Sequence, residues 1–196
     1  MELNEKLAKL IGINNGHFTT SEAINHGVSK KQLKQLMDDE IIEKIGYGLY
    51  IDSQYFPDPF TLIQHRAPKS VFSHLTALYL HDLSDRDPIE YMITIPSTSR
   101  TRLADQSNVQ VYYNNDNLIN LGVVTLETPS GTKVKAFDIE RTLCDCIKYM
   151  NQLDKDLVLT GLKRYLKSPY RNNVKMLEYG KQLNISQQIL RYLEVL

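Results

Sequence analysis

Lys30, Lys31, Lys34 and Gln35 lie within one short stretch, and Lys44 and Tyr47 follow close behind. A lysine ammonium donates to phosphate oxygens or to a guanine edge, and a glutamine amide can pair with adenine. With Leu33, Leu36 and Met37 taken as inward, a step of 100° per residue points Lys31, Lys34 and Gln35 outward. Lys30 then sits on the flank near the N-terminal end. Asp38 shares the outer face and opposes a polyanion. An ordinary solvated helix face would carry the same residue types without any partner. Lys44 and Tyr47 sit in a hairpin-like segment and are candidates for backbone contacts, although any hairpin can carry a lysine.

A second basic group comprises Lys163, Arg164 and Lys167, with Arg171 and Lys175 behind it. Leu153, Leu157, Val158, Leu162, Tyr165 and Leu166 form the opposite, apolar stripe. Like charges at i and i+4, as in Lys163 and Lys167, mildly destabilise an isolated helix. A phosphate-rich partner would relieve that repulsion. A solubilising face or an acidic protein partner would account for the group equally well.

Other constellations fall short of chemistry. His74 and His81 are seven residues apart, so about 10.5 Å of helix separates them, too far to share one ion unaided. Asp82, Asp85 and Asp87 lack the glycine and terminal glutamate of a calcium loop. Asp85-x-Asp87 lacks the Gly-Ser lead-in of nucleotidyltransferases. Gly131-Thr132-Lys133 lacks the phosphate-loop frame, and no nucleophile elbow is present. Cys144 and Cys146 point about 200° apart on a helix and cannot bridge each other. They read as reduced, buried thiols. The expectation is a protein that acts by binding, with no catalytic residue, metal or cofactor.

The elements that must position the basic residues are legible. Leu3, Leu7, Leu10 and Ile11 give an amphipathic helix over 2–11. Thr19 with Glu22, and Ser29 with Gln32, are capping boxes that open two further helices, and Gly27 stops the first of these. Ile41–Ile45, Gly46-Tyr47-Gly48 and Leu49–Ile51 read as a β-hairpin. Three short helices and a hairpin within the first 56 residues form the winged helix-turn-helix pattern. In that pattern the last helix enters the major groove and the hairpin lies along the backbone.

Pro57-Asp58-Pro59 reads as a stiff linker. It divides the chain into a DNA-binding domain over 1–56 and a larger α+β domain over 57–196. The second domain is expected to hold helices at 60–66 and 73–81, with Ser73 as cap. Strands follow at 89–95, 109–113, 123–126 and 134–137, with a turn at Thr128–Gly131. A helix capped by Asp138 and three more at about 154–167, 172–182 and 185–195 complete it. The sheet is expected to be antiparallel or mixed.

The chain has 196 residues, 23 Lys+Arg and 23 Asp+Glu. No apolar run approaches the roughly 20 residues that span a bilayer. The charged start is unlike a signal peptide, so a cytoplasmic location is expected. Net charge zero argues at first against nucleic acid, but it conceals −2 over 1–56, −2 over 57–150 and +4 over 151–196. Local fields steer a charged partner. DNA binding is therefore expected to need both domains. Without a long heptad helix, a monomer that binds paired repeats is expected.

Four stretches resemble the AbiEi family, the antitoxins of bacterial abortive-infection (type IV) toxin–antitoxin systems that give phage resistance. They are Gly46–Tyr50 at the end of the winged helix, Phe72–Ser84 (FSHLTALYLHDLS), Tyr91–Pro96 (YMITIP) and Phe137–Asp145 (FDIERTLCD). The resemblance covers nearly the whole chain. It implies an autoregulatory transcriptional repressor that binds inverted repeats in its own promoter through the winged helix. It also implies an antitoxin that counters a nucleotidyltransferase-like toxin without a stable complex. A C-terminal domain that binds the toxin directly is the alternative, followed by a nucleotide-handling enzyme. The Ser73-His74 and Asp138–Arg141 stretches each lie where a helix starts, so a structural role is favoured for both.

Overall fold

The computed structural model describes residues 3–12 and 14–195, except for the side chains of Asn4 and Val195. Glu2, where the first expected helix opens, lies outside the described residues. The chain is α+β and divides into two compact units. The first is residues 1–66 with 127–134, and the second is 67–126 with 135–196.

In the first unit, α1 (Leu3–Ile11) is followed by β1 (His17–Thr19), α2 (Thr20–Asn25), α3 (Lys30–Asp38), β2 (Ile42–Gly46), β3 (Leu49–Asp52) and α4 (Pro59–Arg66). Both capping boxes form. The Thr19 and Ser29 hydroxyls accept from the Glu22 and Gln32 amides, and those side chains return bonds to the cap backbone. Gly27 (φ +78°) ends α2, with Val28 N–H donating to the Ala23 carbonyl at 2.8 Å. Glu40 takes the same left-handed place after α3, with Ile41 N–H on the Leu36 carbonyl at 2.9 Å. Leu7, Leu10, Phe18, Val28, Leu33, Leu36 and Ile42 form the core.

β1 is a strand that the sequence reading did not expect. It pairs antiparallel with β3, Phe18 opposite Tyr50, and makes a three-stranded sheet in the order β1-β3-β2. At three residues it is too short to show an alternating pattern. The expected linker at Pro57-Asp58-Pro59 is instead a helix start. Asp58 is buried, and its carboxylate accepts from the Thr61 amide and hydroxyl, both at 2.9 Å. Pro59 takes the first helical position, where a missing N–H costs nothing. Thr132 of the 127–134 segment donates to the same carboxylate at 2.6 Å. The units therefore divide after Arg66, rather than at Pro57 as the composition suggested.

The second unit holds β4 (Val71–Phe72), α5 (His74–Leu80), β5 (Tyr91–Pro96), a 3-10 turn at Arg102–Asp105 and β6 (Val109–Asn114). It continues with β7 (Val123–Glu127), β8 (Lys133–Phe137), α6 (Ile139–Lys148), α7 (Lys155–Lys167), α8 (Asn173–Gln182) and α9 (Ser186–Val195); the turn between β7 and β8, with Glu127 and the first residues of β8, belongs to the first unit. The sheet order is β6-β5-β4-β8-β7. β4 runs antiparallel to β5 and parallel to β8, and β5 runs parallel to β6, so the sheet is mixed. Ile89, expected to open a strand, lies outside β5 and is 86% exposed. Leu78, Leu143, Val158, Leu162, Met176 and Ile189 lie at the centre of the helical core. No described helix is long and apolar enough to cross a membrane.

Ser29→Ala removes the acceptor at the start of α3, which is expected to lower stability by about 1 kcal/mol. Urea unfolding followed by far-UV circular dichroism measures this, and Ser29→Asp should restore most of the loss.

Candidate nucleic-acid interface

Three elements of the first unit surround a groove of about 510 Å³: the start of α2, one face of α3, and the β2–β3 hairpin. Lys30, Leu33 and Met37 line it from α3, and Lys44, Tyr47, Gly48 and Tyr50 line it from the hairpin. Thr19, Thr20 and Ser21 close its third side. Two ammonium groups and several hydroxyls thus face one concavity. The nearby Glu22 carboxylate is occupied by the Thr19 amide (2.7 Å) and hydroxyl (2.8 Å).

The hairpin turn is held from two directions. Thr20 N–H donates to the Gly48 carbonyl at 2.9 Å, and the His65 Nε2 lies 2.8 Å from the Tyr47 carbonyl. Gly48 has φ +64°, and a Cβ there would come within 3.2 Å of the Thr20 hydroxyl. These bonds fix the backbone of Tyr47 while leaving its side chain 95% exposed. A register shift between Lys44 and Gly46 marks a bulge just before the turn.

Lys30, Lys44 and Tyr47 therefore meet around one groove. Lys31, Lys34 and Gln35 are exposed on α3 but do not line it. At 100° per residue Lys34 lies midway between Lys30 and Asp38, with Lys31 and Gln35 beyond them, further round from the groove. The sequence reading missed the hydroxyls of Thr20 and Ser21, which it treated only as part of a helix start.

Two of the five cations of the second basic group, Arg164 and Lys175, are answered by carboxylates. Arg164 pairs with Asp85, an exposed bond. Arg171 donates to the Leu166 carbonyl at 2.5 Å. Lys175 bonds Asp138 at 3.0 Å and Glu140 at 3.1 Å. Burial lowers the Lys175 pKa, but its two carboxylate partners outweigh that and raise it. Lys163 and Lys167 remain exposed and have no ion pair among the described residues. Asp85, weighed as a metal ligand, is engaged by Arg164.

The Phe137–Asp145 stretch forms a buried polar network. Arg141 is 0% exposed. Its Nε donates to Asp145 at 3.1 Å, its Nη1 to the Leu118 and Leu121 carbonyls at 2.8 and 3.0 Å, and its Cζ lies 4.3 Å from the centre of the Phe137 ring. Asp138 caps α6 and accepts from the Tyr179 hydroxyl at 2.9 Å. Gly122 (φ +77°) sits so close that a Cβ would lie 2.9 Å from the Arg141 Cβ. Burial raises the Asp145 pKa to about 6, although Arg141 opposes the shift.

His74 lies in the same unit, with φ +50° at the first position of α5. Its ring stacks on Tyr112, with centroids 3.7 Å apart. Ser73 makes no helix-cap bond. Its hydroxyl instead meets His74 Nδ1 at 2.8 Å and accepts from Thr94 at 2.9 Å. Burial lowers the His74 pKa to about 3, helped by Arg141 and Lys148. His81 is also lowered by burial, against its bond to the Phe137 carbonyl at 2.7 Å. Cys144 and Cys146 are free and buried, which raises both thiols.

No family model matches the chain, and no curated protein matches it in sequence. Among solved structures, the crystal structure of RV2827C protein from Mycobacterium tuberculosis is similar at 12% identity and a TM-score of 0.47, covering 93% of this chain and 75% of that chain.

The two buried groups give opposite pH dependences. Asp145 takes up its proton more readily when folded, so its contribution falls as pH rises from about 4 to about 6. His74 resists protonation when folded, so its contribution falls as pH drops from about 6.5 towards about 3. Asp145→Asn removes the first term only. Urea unfolding across pH 4–6 should then show stability rising more steeply with pH in the variant than in the native protein, whatever its absolute loss.

Proposed function

We propose that the first unit is a winged helix-turn-helix that binds duplex DNA, with α3 as the recognition helix and the β2–β3 hairpin as the wing. The observation that carries this reading is the convergence of Lys30, Lys44 and Tyr47 on one groove beside a hairpin turn of fixed geometry. The groove suits the phosphate backbone. Lys31, Lys34 and Gln35, exposed on α3, are the residues assigned to base edges. The resemblance to the AbiEi family extends the reading to a cytoplasmic, monomeric repressor of its own promoter that acts by binding inverted repeats. It also makes the chain an antitoxin that counters a nucleotidyltransferase-like toxin without a stable complex.

The ion pairs of Arg164 and Lys175, and the bond of Arg171 to the Leu166 carbonyl, narrow the contribution assigned to this basic group. Lys163 and Lys167 are the residues of that group assigned to meet backbone phosphate.

Binding to a duplex from the chain's own promoter, measured across a salt series, tests the assignment. Lys30→Ala with Lys44→Ala should weaken binding and reduce the salt slope by ~0.9 for each phosphate no longer neutralised. Lys31→Ala with Lys34→Ala should weaken the promoter more than a scrambled duplex. Lys163→Ala with Lys167→Ala should reduce the slope and weaken promoter and scrambled duplex alike. Unchanged affinity and slope in the Lys30/Lys44 variant, with its fold intact by circular dichroism, would overturn the wing assignment.

A further inference from the structure

The second unit carries a cleft apart from its Lys163–Lys175 basic group. It lies where the C-terminal end of α6 meets the middle of α9, and has a volume of about 410 Å³. Small-molecule sites typically hold roughly 300–1,000 Å³. Lys148 and Arg191 are its cations. Both are exposed, and neither has an ion pair among the described residues. Its lining includes no carboxylate. Two like charges on one concavity repel each other, and an anion between them reverses the sign of that interaction.

The other walls are of a different kind. Ile147 and Met150 are buried and form an apolar floor, and Tyr192 stands half-buried beside them. Asn151 and Gln188 present amides at the rim. Each amide both donates and accepts, as the edge of a heterocycle requires.

The α9 wall is fixed in place. Ile189, next to Gln188, is fully buried. It packs on Gly180 of α8, where a Cβ would overlap the Ile189 Cδ1. Gln188, Arg191 and Tyr192 are therefore presented from a helix that sits closer to its neighbour than alanine would allow. Lys148 has a partial explanation of its own, since a cation in the last turn of a helix is favoured by the helix dipole. Arg191, in the middle of α9, lies away from either helix end.

We infer that this cleft binds a phosphorylated small molecule with a planar ring, of the class of the nucleoside phosphates. Lys148 and Arg191 bind the phosphate, Arg191 through its fork of donors. Tyr192 and the apolar floor seat the ring. Asn151 and Gln188 bond its edge. None of these residues belongs to the first unit, so the cleft does not depend on the DNA-binding reading.

Titration calorimetry of the whole protein with AMP and with inorganic phosphate tests it. AMP should saturate one site, and phosphate should bind at least about tenfold more weakly. Lys148→Gln with Arg191→Gln should weaken AMP at least about tenfold, and Arg191→Lys alone should retain part of the affinity. Tyr192→Ala should weaken AMP and leave phosphate unchanged. Circular dichroism checks that each variant is folded. Absence of saturable AMP binding, equal affinity for AMP and phosphate, or AMP affinity unchanged in the double variant would each overturn the inference. Displacement of AMP by duplex DNA, with duplex affinity also abolished in the double variant, would overturn it in favour of a seat for backbone phosphate.

Discussion

The Arg141 guanidinium is buried among carbonyls, a carboxylate and an aromatic ring, and the arrangement of the second unit follows from the need to bind it there. Removing one partner from a buried ion pair typically costs 3–5 kcal/mol. Asp145 must therefore face Arg141 from one turn along α6, and the 118–121 segment must turn its carbonyls inward. Gly122 must lack a side chain for that segment to approach. Asp138 then joins the start of α6 to α8 through Tyr179 and Lys175. Within Phe137–Asp145, the contacts of Phe137, Asp138, Arg141 and Asp145 are thus internal to the fold. Ser73-His74 has the same character: its hydroxyl and ring are turned into the interior, towards Thr94 and Tyr112.

The first unit is organised by a comparable constraint. The Asp58 carboxylate collects the Thr61 amide and the hydroxyls of Thr61 and Thr132, while its backbone N–H donates to His17 Nε2 at 3.0 Å. This knot starts α4, and α4 carries His65 to the carbonyl of Tyr47. A buried carboxylate thereby helps fix the hairpin turn at the edge of the groove. Holding the turn in advance reduces the ordering cost of binding.

Local signals in the sequence were strong where one residue answers another a few positions away. The Thr19–Glu22 and Ser29–Gln32 boxes, the Gly27 stop and the Asp138 cap could all be read without knowing the tertiary structure. β1 and β4 escaped because two- and three-residue strands have no period. Pro57-Asp58-Pro59 was misread because an N-cap aspartate before a proline resembles a rigid break until Thr61 is seen to donate to it. The ion pairs of Arg164 and Lys175 escaped because their partners, Asp85, Asp138 and Glu140, lie 35 to 79 residues away. For the same reason a net charge of +4 over 151–196 overstated the basic surface: much of that charge is answered by acids counted in the preceding segment. Of the groove, Lys44 and Tyr47 were legible as hairpin residues, whereas the participation of Thr20 and Ser21 depends on how α2 meets the turn.

Duplex DNA, on the proposed reading, seats on the groove formed by α2, α3 and the hairpin. Amide chemical shifts of the isotopically labelled whole protein, recorded while a duplex from its own promoter is added, test this most directly. The perturbed amides are expected to cluster at Thr20, Ser21, Lys30, Lys31, Lys34, Lys44, Tyr47 and Gly48, with smaller changes near Lys163 and Lys167. Perturbations confined to the second unit, with the groove amides unmoved at saturation, would contradict it.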